Sequence, residues 1–156
     1  MSRDRIEFRE GTATQEDIRG HLEACDKDFS PNLSAKVNIE TYSEKISTRA
    51  RTFEAWSGTK LVGLVAAYMN DSTTRTGFIT SVSVVKEFAG HGIASALLDH
   101  CLARSRKMGM EAVRLEVSLQ SRDAIHLYEN FGFSEISRQA EMLSMKLELT
   151  ERRHSS

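Results

Sequence analysis

Between Thr76 and Lys107 the hydrophobic period of the chain changes from two to about 3.6 across a turn that holds two glycines. Phe78, Thr80, Val82 and Val84 alternate along one face of an expected strand over Thr76 to Val85. Ile93, Leu97, Leu98, Cys101, Leu102 and Met108 then form a helical stripe from Gly92 onward, with Arg104, Arg106 and Lys107 at the negative end and Gly109 as the stop. The turn Ala89-Gly90-His91-Gly92 therefore joins a strand to a helix start. Such a start exposes unpaired N–H groups and a partial positive charge, and glycine lets a ligand approach the backbone, so the turn can cradle a pyrophosphate. Gly90-x-Gly92 alone is weak evidence, because many such turns use glycine for backbone conformation only. No Gly-Lys-Ser/Thr follows and the third glycine of a dinucleotide fingerprint is absent, so another ligand class is required.

The rest of the chain supplies a frame for that junction. Ile6 to Arg9 reads as an entering strand, and Thr14 with Asp17 as a capping-box start for a helix over Gln15 to Cys25. Asp26 to Val37 reads as a loop, and Asn38 caps a second helix with Ile39, Tyr42, Ile46 and Ala50 on one side. Arg51 to Trp56 and Lys60 to Met69 form a hairpin. Val113, Leu115 and Val117 mark a strand, and Ser121 caps a short helix that Gly132 ends. Phe133 to Arg138 and Leu143 to Leu149 are the last two strands. This order specifies an α/β (α+β) fold, a mixed, mostly antiparallel sheet of six to seven strands flanked by four helices.

Composition narrows the function. A chain of 156 residues with 40% hydrophobic residues fits one domain over residues 1–150, with 151–156 as a solvated tail. Lys+Arg 21 against Asp+Glu 22 leaves no positive field to draw nucleic acid or an anionic membrane. The longest mostly apolar stretch, Leu61 to Met69, is far shorter than the roughly 18 residues of a membrane span. A charged N-terminus where a signal peptide needs apolar residues leads us to expect a cytoplasmic protein. Cys25 and Cys101 lack metal or disulfide spacing and fall in apolar helical stripes, so they read as fillers and no metal is expected.

The strand–turn–helix segment resembles the acyl-CoA-binding loop of the GNAT acetyltransferase family, here Ala89-Gly90-His91-Gly92-Ile93-Ala94. A second segment matches downstream at the family's spacing. Leu115-Glu116-Val117, followed by Ser121-x-x-Ala124-Ile125-x-Leu127-Tyr128-Glu129-x-x-Gly132-Phe133, resembles its LEV…NxxAIxLYExxGF pattern. Two motifs in order are far more specific than either alone, and the likeness spans Lys60 to Leu149. Ala89 stands where the family has Gln or Arg, and Ser121 where it has Asn.

The resemblance implies an N-acetyltransferase that takes acetyl-CoA as co-substrate and a primary amine as acceptor, a small molecule ahead of a peptide N-terminus. Such a transfer requires an uncharged amine, stabilisation of an oxyanion and a proton for the departing thiolate. The resemblance assigns the proton to Tyr128, and assigns base work to Glu116, as in the family's ribosomal-protein alanine acetyltransferases. Their plain alternatives are a packed helix tyrosine and a solvated strand carboxylate paired with Arg114 or Lys146. It also assigns backbone groups of Val82, Ser83 and Val84 to the acetyl and pantetheine ends, and Gly90, His91, Gly92, Ile93, Ala94 and Ser95 to the pyrophosphate. His91 is read as an auxiliary phosphate contact. The acceptor is expected between Asp26 to Asn38, the second helix and the Asn70 to Arg75 turn, where Asp28, Glu54 and Asp71 are acids that could attract an amine. A catalytically idle acyl-CoA sensor is the competing reading, motivated by Ala89 and Ser121. Edge strands in the C-terminal half would let two copies pair as a homodimer.

Overall fold

The computed structural model describes residues 5–149. Seven strands form one sheet in the order β1-β2-β3-β4-β5-β7-β6. They are β1 (Glu7–Glu10), β2 (Arg51–Ser57), β3 (Lys60–Tyr68), β4 (Thr76–Val84), β5 (Ala112–Ser118), β6 (Ser134–Gln139) and β7 (Met142–Glu148). All neighbours are antiparallel except β4 and β5. The helices are α1 (Gln15–Cys25), α2 (Leu33–Lys36), α3 (Ile39–Arg49), α4 (Ile93–Lys107) and α5 (Arg122–Asn130). The expected seven-stranded limit and mixed sheet are found; a fifth, one-turn helix, α2, interrupts what reads from sequence as a loop. The expected tail, 151–156, lies outside the described residues.

Local chemistry accounts for the helix starts. Thr14 and Asp17 make the reciprocal capping box of α1, and the Asn38 side chain accepts the Thr41 N–H of α3 at 2.9 Å. Ser121 departs from expectation. Its side chain makes no cap bond at α5.

Two cores sandwich the sheet. Ile18 and Leu22 of α1 and Ile46 of α3 pack on Leu61, Leu64 and Ala66 of β3. Leu97, Leu98 and Cys101 of α4 and Tyr128 of α5 pack on the other face with Val62, Val65, Leu115 and Val117. Gly63 matters here. A Cβ on it would lie 2.8 Å from Ile93 Cγ2 and 3.3 Å from Leu97 Cδ1, so its bareness lets the first turn of α4 press on β3. Cys25 and Cys101 are buried free thiols, pushed up by burial to about 11 and about 12, and so carry no thiolate at neutral pH. No described helix is long and apolar enough to cross a membrane.

Candidate active site

The middle of the sheet opens at one end. β4 pairs with β3 along most of its length, but with β5 only from Thr76↔Ala112 to Ile79↔Leu115. Past Ile79 the two strands part. Val85 N–H donates to the Val62 carbonyl at 2.9 Å, and in an antiparallel ladder alternate residues bond to the partner strand. Ser83 and Ser81 therefore turn their backbone groups to β3. Val82 and Val84 turn theirs toward the gap left by β5.

A bulge prepares that gap. The β3–β4 register shifts between Ala66↔Ser81 and Ala67↔Ile79, leaving Thr80 as the extra residue. Period-two alternation places Phe78, Thr80, Val82 and Val84 on one face; the bulge resets the phase, and Ile79 joins Val82 and Val84 on the α4 side. The displaced Thr80 carbonyl accepts the Tyr42 hydroxyl at 2.7 Å. Burial pushes Tyr42 up to about 12, so this donor stays protonated.

The gap is the floor of a cleft of about 800 Å³. At one end lies the start of α4. Gly92 is its N-cap in the left-handed region at φ +77°, with no side-chain cap, and Gly90 has φ +81°. Ala96 N–H reaches the Gly92 carbonyl, so the amides of Ile93, Ala94 and Ser95 have no partner within the helix and no capping side chain. That is the donor set a diphosphate takes. Residues Gly90, Gly92, Ile93, Ala94 and Ser95 line the cleft; His91 does not. Its Nδ1 turns back to the carbonyls of Phe88 and Ala89, at 3.1 and 3.0 Å.

Tyr128 and Glu116 meet at the same cleft. Tyr128 is 6% exposed, its ring edge on Phe133, and its hydroxyl has no protein hydrogen-bond partner among the described residues. Burial raises its pKa, so the phenol is a proton-bearing donor. Glu116 is exposed and makes no ion pair with Arg114 or Lys146, the latter being held by Glu148 at 3.3 Å. Leu115 and Val117 face the α4–α5 core, so alternation sends Glu116 to the opposite face.

The acceptor end is partly as expected. Asp28, Phe29, Leu33, Lys36 and Val37 from the α1–α3 connection line the cleft, together with Tyr42. The Asn70–Arg75 turn does not. Arg75 donates to the Gly109 carbonyl at 2.8 Å, tying this turn to the far end of α4, and Asp71 caps its own turn through the amides of Thr73 and Thr74. Glu54 is also elsewhere, fully buried and bonded to Thr12, Ala13, Thr52 and Trp56. Behind the wall, His21, which sequence reasoning does not single out, contacts the cleft-lining Ser83. Its signal was a histidine three residues after Ile18 and four before Cys25, on the apolar stripe of α1.

A model of the acetyltransferase (GNAT) family matches residues 18–133. The chain is 31% identical over 134 residues to the N-alpha-acetyltransferase MAK3 of Arabidopsis thaliana, covering 83% of this chain and 70% of that one. The fold is similar to a crystal structure from Pyrococcus horikoshii OT3, with TM-score 0.76, 22% identity, and 94% and 100% of the two chains covered. It is also similar to the PaiA N-acetyltransferase of Thermoplasma acidophilum in complex with coenzyme A, with TM-score 0.73, 17% identity, and 92% and 99% covered.

Proposed function

The chain belongs to the GNAT acetyltransferase family and is an acyltransferase, and on that premise we propose that it moves an acetyl group from acetyl-CoA to a primary amine by direct transfer. The observation that carries this reading is the parting of β4 and β5, which leaves the Val82 and Val84 backbone, the bare amides of α4, Glu116 and Tyr128 on one cleft. Acetyl-CoA supplies the activated thioester. The amides of Ile93, Ala94 and Ser95 hold its diphosphate, and the Val82 and Val84 backbone groups hold its amide-bearing arm as a further strand would be held. Tyr128, kept protonated by burial, gives its proton to the sulfur that leaves. Glu116, exposed on the acceptor side, takes a proton from the incoming amine, directly or through water. His91 is left with a minor role at the turn.

The acceptor wall joins apolar Phe29, Leu33, Val37 and Phe78 to the carboxylates of Asp28, Glu116 and Asp123. That pairing suits a cationic amine beside an apolar group. The MAK3 relative acts, by its name, on α-amines, which puts a peptide N-terminus ahead of a small-molecule amine. The test is release of free thiol from acetyl-CoA over a panel of peptides with different first residues, amino acids and polyamines. Turnover of apolar-start peptides that collapses in Tyr128→Phe is expected; binding of coenzyme A without thiol release on any acceptor would leave only a carrier-binding module.

A further inference from the structure

His21 reaches from α1 into the space beneath the open end of β4 and is 3% exposed. Its Nδ1 lies 3.0 Å from the Leu61 carbonyl oxygen and its Nε2 lies 2.9 Å from the Ser83 hydroxyl. A carbonyl only accepts, so Nδ1 carries the ring proton. Nε2 of the neutral ring is then a bare lone pair, and the Ser83 hydroxyl must donate to it. Burial, helped by the charge of Lys60, pushes His21 down to about 4, so the ring is neutral at physiological pH. Cys25 Sγ is farther from the same nitrogen, at 3.8 Å. Ser83 thus has no hydrogen left for a ligand and offers lone pairs only. It lines the cleft from the α1 side of the sheet, the side to which Glu116 also projects.

We propose that His21 is a positioning residue that holds Ser83 as an obligate hydrogen-bond acceptor, and that Ser83 Oγ receives an N–H of the bound reactants on the face it shares with Glu116. The proposal rests on the acetyltransferase reading. A neutral primary amine has two N–H bonds and one lone pair, so two acceptors on one face turn the lone pair toward the acyl carbon. The same acceptor would also suit an amide N–H of the carrier arm.

Two arms separate these sources: the KM of the amine at saturating acetyl-CoA, and the dissociation constant of coenzyme A by calorimetry. Ser83→Ala is expected to raise one of them about tenfold, and Ser83→Thr, which keeps the hydroxyl, to restore most of it. His21→Asn retains an N–H for Leu61 but loses the Nε2 lone pair; it should reproduce the Ser83→Ala loss and add little to it in the double variant. The ¹⁵N shifts of His21 give a readout independent of activity, with Nδ1 protonated and Nε2 bare. The reverse tautomer overturns the proposal, as do both constants staying within about twofold in Ser83→Ala, or a full second loss when His21→Asn is added to it. If the wild type turns over no amine, the acetyltransferase reading falls separately, and an unchanged coenzyme A constant in Ser83→Ala then overturns this proposal on its own.

Discussion

Glu54 and Tyr128 are both largely buried polar side chains, one sealed in the fold and one on the wall of the cleft, in opposite kinds of surroundings. The Glu54 carboxylate accepts from the amides of Thr12 and Ala13, the hydroxyls of Thr12 and Thr52, and the Trp56 indole. Burial alone would raise its pKa, but the hydrogen bonds outweigh burial and hold it below the usual range. Around Tyr128 nothing polar answers the hydroxyl where the side chain meets the cleft, and Ser81, which lines the same cleft from the α1 side of the sheet, keeps a buried Oγ without a partner. A buried polar group that is fully satisfied reports on stability, whereas a group of unsatisfied ones beside a cleft reports on what the cleft receives.

The contrast predicts effects of different kind. Glu54→Ala, which orphans five donors, should lower the unfolding free energy by about 4 kcal/mol in denaturant titrations while leaving kcat per folded molecule unchanged. A loss of activity without loss of stability would move Glu54 into the catalytic machinery. Next is the acid limb of stability. His21 takes a proton near 4 when folded and 6.5 when unfolded, so the unfolded chain binds more protons between these values. Stability should therefore fall by about 3 kcal/mol as pH drops from 6.5 to 4, and His21→Asn should flatten that window. Glu54 acts lower down: its contribution is intact above the ordinary glutamate value and is lost as pH falls through its depressed folded value.

Tyr128→Phe should cut kcat about 100-fold, a barrier change of about 2.7 kcal/mol, with a melting temperature within about 2 °C of wild type. A large drop in melting temperature would instead mark Tyr128 as a core residue. The smallest effect is Gly92→Ala. An L residue at φ +77° should cost about 1 kcal/mol of stability and weaken coenzyme A several-fold, the latter by calorimetry.

Much of this was readable from the chain because it rests on short-range chemistry. The starts of α1 and α3 depend on Thr14 with Asp17 and on Asn38, partners three residues apart. The strand–turn–helix junction and the Glu116 to Tyr128 spacing are likewise local. Other parts depend on who packs against whom. Glu54 looks like any strand carboxylate until Thr12 and Ala13 fold over it, 42 and 41 residues away. Ser121 looks like a cap, but its backbone, at φ -87° and ψ 69°, gives the side chain no amide to accept.

Residue order alone therefore settled every strand and every helix but the one-turn α2, their succession and the family's two motifs, since period, capping and turn chemistry operate within a few residues. Tertiary structure alone decided which backbone groups of β4 are free. The Thr80 bulge, its carbonyl held by Tyr42 from α3, and the end of β4–β5 pairing at Ile79↔Leu115 are outcomes of competition between strands distant in sequence. The same holds for the His21–Ser83 contact, 62 residues apart in the chain, because a buried hydrogen bond exists only once packing has excluded water from both partners.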